Sequence, residues 1–263
     1  MPVSFFRTLL RPGAWQTGAF LSLLAPLAIG ADDSADWRFE LSPYAWVAGL
    51  KGEVGTLPGE PAAPIDVAPS DVIDNLDAVL MLIFNARRGR HGLYADIFYA
   101  DIRAEEELIP PPVDLKLRIQ AESTLATLAY QYEFFRHDGA SAELLAGARY
   151  WQVDNLLRFG GGSGLLAGRR ISSSESWTDP LLGIRGRMPL GESRFYLTGG
   201  GAVGGFGVGS DSFYELSGAI GYRWSDAIAT AVGYRRYEVD YRDSGFSYDV
   251  TQQGWQFGLT WAF

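Results

Sequence analysis

The chain has 263 residues, 22 basic and 31 acidic, for a net charge of −9, and it contains no cysteine. That balance argues against nucleic acid as a partner, since phosphate binding needs a cationic face, and the missing cysteines exclude disulfides and thiolate metal sites. Aromatic residues make up 14 % of the chain and glycines number 32, a composition that aromatic girdles and glycine-bearing strands would produce.

The N-terminus reads as a secretory signal. Arg7 and Arg11 precede an apolar run from Phe20 to Ile29, followed by small residues and then Asp32 and Asp33. The run is too short to span a bilayer as a helix, and Pro26 interrupts it. Cleavage is expected after Gly30 or Ala31, leaving residues 31–263 as a single domain. Removing residues 1–30 removes two arginines and no acid, which takes the net charge to −11.

About ten alternating segments follow, each long enough to cross a bilayer as a tilted strand of roughly 9–11 residues. The first spans Trp37 to Val54, with Trp37, Phe39 and Leu41 on one face and Arg38, Glu40 and Ser42 on the other; Pro43 marks a bulge or an unpaired position. The second, Asp77 to Arg88, turns Leu80, Leu82 and Phe84 outward, but Met81 and Ile83 make its inner face apolar too. The third runs from Leu93 to Arg103, and an acidic stretch (Glu105 to Glu107) with prolines 110–112 is expected to form a loop. The fourth, Asp114 to Phe135, changes character near Thr124 to Thr127, as a bulge or a strand leaving the membrane would. The fifth (Ala142 to Leu157) and sixth (Ser174 to Leu190) flank a glycine-rich loop at residues 160–164. The seventh, Phe195 to Val208, is crowded with glycine, which fits either barrel curvature or empty space beside the strand. The eighth, Phe213 to Trp224, alternates cleanly; the ninth, Ala227 to Tyr241, has no settled phase.

The last segment, Tyr248 to Phe263, is the clearest. Trp255, Phe257, Leu259, Trp261 and Phe263 share one face, while Gln252, Gly254, Gln256, Gly258 and Thr260 share the other. Such a face meets lipid in a membrane barrel, and the polar face meets the lumen. Short connections near residues 89–91, 136–140, 190–193 and 225–226 alternate with mostly longer ones, as in outer-membrane barrels. The expected fold is therefore all-β: a transmembrane antiparallel up-and-down β-barrel of about ten strands, with eight or twelve as alternatives.

The stretches WRFELSPYAW, NARRGRHGLYADIFY, ARYWQVD, GYRRYEVDY and GWQFGLTWAF resemble bacterial outer-membrane β-barrel proteins of porin-like or opacity-like type. The resemblance covers most of the mature chain and implies the outer membrane as location, its lipids as surroundings, and the barrel insertion machinery as a partner. That machinery would read the terminal strand, with Trp261 and Phe263 as its signal. A monomer is favoured, and no cofactor or metal is expected.

Candidate site residues follow from parity. Arg38, Glu40, Asp96, Arg149, Arg185, Arg187, Glu215 and Arg223 fall on the lumen side, since an arginine facing lipid at mid-depth costs about 2–4 kcal/mol. They form either an ion-pair network that holds a narrow barrel together or the selectivity lining of a small pore. Ser70 can cap a helix with Asp71 in its first turn and Val72, Ile73 and Leu76 along one side, a candidate plug for the barrel mouth or a helix resting on its neighbours. The only histidines, His91 and His137, fall in short turns at the periplasmic end. A serine nucleophile without a nearby base is weak, so an enzyme ranks third. A narrow passive channel for small solutes ranks first, and a structural or surface-interaction barrel with a filled lumen second.

Overall fold

The computed structural model describes residues 36–55, 62–109, 115–160 and 168–263. The expected signal sequence and cleavage point, the triple proline and the loop at residues 161–164 lie outside them. Among the described residues, eleven strands and one short helix occur in the order β1 (Trp37–Gly55), β2 (Ala63–Val67), α1 (Pro69–Asp74), β3 (Leu76–Arg88), β4 (His91–Ile109), β5 (Leu115–His137) and β6 (Ala140–Gly160). They continue with β7 (Arg170–Pro189), β8 (Phe195–Gly204), β9 (Ser212–Arg223), β10 (Ile228–Asp243) and β11 (Phe246–Ala262). Each strand pairs antiparallel with its sequence neighbour, except that β3 passes over β2 to pair with β1, and β11 pairs with β1. The result is a closed barrel of ten strands, with β2 added only to the far end of β1. No helix among the described residues is long and apolar enough to cross a membrane.

Closure through the β11–β1 and β1–β3 pairings removes most of the open edge that a sheet would otherwise expose to hydrocarbon. The seam is sealed at its last residue: Phe263 and Phe39 exchange backbone hydrogen bonds of 2.9 Å each, and their rings stack at 5.7 Å. Trp255, Phe257, Leu259, Trp261 and Phe263 all face out, between 46 % and 60 % exposed. A water-soluble protein would bury so continuous a band. Leu182, Ile184 and Met188 on β7 and Leu216 and Ile220 on β9 extend it around the wall.

The wall is uneven in height. β5 and β6 have 23 and 21 residues, about twice what a tilted crossing needs, while β8 and β9 have only 10 and 12. The excess explains the change along β5. Its pairing with β6 is regular from Lys116 to Glu133, so no bulge lies at Thr124 to Thr127; the irregularity falls at Glu133/Phe135. Arg118, Gln120 and Glu122 share the parity of exposed Leu128 and Tyr130, and the face turns polar where the strand leaves the hydrocarbon. The acidic stretch from Glu105 to Glu107 is likewise ladder, not loop. It pairs with residues 116–118 of β5, and Arg118 Nε binds Glu105 Oε2 at 2.6 Å. Opposite charges facing each other across strands stabilise such a ladder modestly.

Pro43 is the last β1 residue paired to β3. Beyond it, Trp46 N–H donates to the Met81 sulfur at 3.1 Å, and β2 occupies the edge from Leu50 to Val54. The phase of β10 is also resolved. Val232 and Tyr234 face out, while Arg235, Tyr237, Val239 and Tyr241 are buried inside.

Candidate functional site in the barrel lumen

Three layers fill the lumen. The middle layer is ionic and nearly dry, with Asp96, Arg149 and Arg235 each at most 4 % exposed. Arg235 binds Asp96 Oδ2 through Nη2 at 3.1 Å and Glu215 Oε1 through Nε at 3.0 Å. Arg149 completes the chain, Nη2 to Glu215 Oε2 at 2.7 Å, and donates through Nε to Thr127 Oγ1 at 2.9 Å. Tyr44 donates its hydroxyl to Asp96 Oδ1 at 2.8 Å and accepts from Arg235 at 3.1 Å. Two arginines and two carboxylates balance, so desolvating the group adds no unpaired charge.

Towards the long-loop end lies an aromatic slab. Trp151 and Tyr237 are 1 % exposed, and Phe213 is 2 % exposed. Trp151 stacks on Trp177 at 5.6 Å, Trp177 on Tyr241 at 3.9 Å, and Phe213 meets Trp151 edge-on at 5.7 Å. The arginines below pack into this slab: the Arg149 guanidinium lies 4.9 Å from the Phe213 ring and that of Arg235 5.1 Å from Trp46.

A clip holds the short β8–β9 hairpin against the slab. Asp179 is wholly buried; it accepts from Trp177 Nε1 at 3.2 Å, Ser210 N–H at 2.6 Å and Ser210 Oγ at 2.9 Å. Gly205 and Gly207 in the connecting turn have φ of +86° and +72°, a conformation glycine adopts without strain. Part of the dense glycine tract is thus turn geometry.

Towards the short turns the lumen opens into a cavity of about 500 Å³. Six arginines and three glutamates line it. Arg87 bridges Glu133 (3.1 Å) and Glu143, and Arg136 also binds Glu133. Arg185 reaches Glu143 at 3.4 Å and Asn85 Oδ1 at 3.1 Å. The Arg187 guanidinium lies 3.7 Å from the Tyr196 ring. Arg38, Glu40 and Arg223 complete the rim.

The eight charged residues expected inside therefore divide between two places. Asp96, Arg149 and Glu215 form the middle layer, while Arg38, Glu40, Arg185, Arg187 and Arg223 line the cavity. Parity missed Arg235, the centre of the network, together with Arg87 and Glu133. A helix forms at Pro69–Asp74 and buries no residue, but Ala68 and not the expected Ser70 holds its N-cap position, because the helix already starts at Pro69. Its entry lies against the outward side of β1, where a Cβ on Gly49 would stand 2.8 Å from Val67 O and 3.1 Å from Pro69 Cδ. Ser70, Asp71 and Ile73 are exposed, as is Leu76 beyond the helix; Val72 is half-buried. Trp261 and Phe263 face outward at the seam. His91 contacts the Tyr130 hydroxyl and His137 lies 3.1 Å from Asp138, both at the short-turn end.

No protein-family model matches this chain, and no curated protein matches it in sequence. Solved structures do match. The outer-membrane protease OmpT of Escherichia coli aligns over 90 % of this chain and 99 % of its own, with a TM-score of 0.54 and 13 % identity. The translocator domain of the autotransporter NalP from Neisseria meningitidis aligns over 89 % and 91 %, at TM-score 0.39 and 12 % identity. Ail of Yersinia pestis, an attachment invasion locus protein, aligns over 86 % and 98 %, at TM-score 0.37 and 10 % identity. At 13 % identity the likeness to OmpT carries the fold and not the chemistry. In architecture the chain is a closed, ten-stranded antiparallel β-barrel of the bacterial outer-membrane kind.

Proposed function

We propose that this protein is a barrel closed to solutes, working as a structural or surface-interaction element of the outer membrane rather than as a pore or an enzyme. The observation that carries this reading is the dry span across the lumen, in which the Asp96–Arg235–Glu215–Arg149 chain lies directly beneath buried Trp151, Phe213 and Tyr237. A narrow passive channel needs a continuous water path. Ten strands lie near the end of the size range where side chains fill the interior.

The same reading gives the excess height of β4 to β7 a purpose. Outside the hydrocarbon these strands present a polar face, with Glu105 and Arg118 exposed and paired across β4 and β5. An extended ladder of this kind offers neighbours a firm surface. Catalysis finds less support, because both histidines lie at the end away from that ladder. Membrane lipids and the insertion machinery are the partners this reading requires, with Trp261 and Phe263 displayed on the terminal strand for recognition.

Liposome swelling with graded solutes tests the reading. Liposomes carrying the barrel should resist even the smallest sugar as well as protein-free ones do. Swelling that falls off with solute size would restore the channel.

A further inference from the structure

We propose that the arginine-lined cavity at the short-turn end of the lumen is a binding site for a small phosphorylated molecule entering from the periplasm. The cavity exists because one wall is stripped of side chains. Gly200, Ala219, Ala231 and Gly258 line it, and a Cβ built on Gly258 would meet nothing nearer than Tyr44 Cβ at 3.9 Å. The opposite wall carries Arg87, Arg136 and Arg185, already engaged by Glu133 and Glu143.

The other three arginines are different. Among the described residues, no carboxylate oxygen lies within ion-pair distance of Arg38, Arg187 or Arg223. Arg187 is held in place by the Tyr196 ring, which orients a guanidinium without neutralising it. Among the described residues, Glu40 is the one cavity acid left for all three. A chain of net charge −9 has thus gathered a cationic surplus in a single hollow. Such a surplus repels itself unless an anion joins it.

The chemistry of the lining narrows the anion. Guanidinium forks match the oxygens of phosphate, and hydroxyls of Ser42, Thr198, Ser217 and Thr260 add neutral partners around them. The volume of about 500 Å³ falls in the range for small-molecule sites and exceeds a bare phosphate. Tyr44 and Tyr94 line its inner end, where Tyr44 is tied to Asp96 and Arg235, so the hollow is a site and not a path. Its occupancy is read by binding, independently of whether the barrel conducts.

The test is calorimetric titration of the whole detergent-solubilised barrel with inorganic phosphate and with a hexose 6-phosphate. Wild type should bind both, the sugar phosphate more tightly. Arg187→Gln with Arg223→Gln should weaken binding by at least about tenfold, because charged hydrogen bonds are lost. Arg118→Gln, on the outer face of β5, should leave binding unchanged. A second readout uses the cysteine-free background: Ser217→Cys should react with a small thiol reagent, and either phosphate should slow that reaction. The proposal fails if neither compound binds wild type. It fails equally if the double variant binds undiminished, or if neither phosphate protects the introduced thiol.

Discussion

Arg235 on β10 reaches across the barrel to Asp96 on β4, Nη2 to Oδ2 at 3.1 Å, with both side chains at most 5 % exposed. These strands are not neighbours, so the bond is a strut through the lumen and not part of the wall. Replacing Arg235 with leucine strands Asp96 as a buried charge and leaves Glu215 to Arg149 alone. Removing one partner of such a group costs about 3–5 kcal/mol. Urea unfolding, followed by loss of the compact form on gels, should show this drop. Adding Asp96→Asn, which removes the stranded charge while Glu215 stays paired with Arg149, should recover part of it.

The face of β5 marks where the membrane ends. Leu128→Arg should destabilise the barrel by about 2–4 kcal/mol, the cost of arginine at mid-depth. Glu122→Arg lies on the same face, in the part of the strand that has turned polar, and should cost under about 1 kcal/mol. Unfolding from lipid vesicles measures both. Equal costs would place Glu122 in hydrocarbon.

Asp179 should govern the β8–β9 hairpin. Asp179→Ala leaves three buried donors without an acceptor. A penalty of about 2–3 kcal/mol is expected, because hydrogen bonds to a charged group are the strong ones. Hydrogen exchange at Ser210 should accelerate, and protease should cut near exposed Phe206 and Val208. Ser210→Ala removes only the hydroxyl bond and should cost about 1 kcal/mol.

Deleting Pro69–Asp74 should not change conductance, because the entry to this helix lies against the outward side of Gly49. A rise in conductance would make it the plug that its amphipathic pattern allows.

Much of this architecture is legible in the sequence, for a physical reason. Where a strand stays between lipid and lumen along its length, as β9 and β11 nearly do, alternation reports the phase directly. β10 does not stay there. Val232 and Tyr234 face lipid, but beyond them Arg236 and Glu238 hold the outward positions while Tyr237 and Val239 fill the lumen. The apolar face changes sides without a bulge, and Arg235 was hidden by that reversal. Carrying the parity of Val232 forward by three positions would have found it. Asp179 shares the inward parity of Arg185 and Arg187, yet its partner Ser210 lies in a loop 31 residues away, which no periodicity reports. The cavity was equally hidden, because it arises from small residues on one wall opposite arginines on another.

Conductance of the purified barrel in a planar lipid bilayer tests the central claim most directly. Wild type should give no stepwise current, whereas Trp151→Gly combined with Tyr237→Gly, which empties the slab, should give discrete steps. Stable steps from wild type, as large as those of the double variant, would contradict a lumen closed by Arg235 and the rings above it.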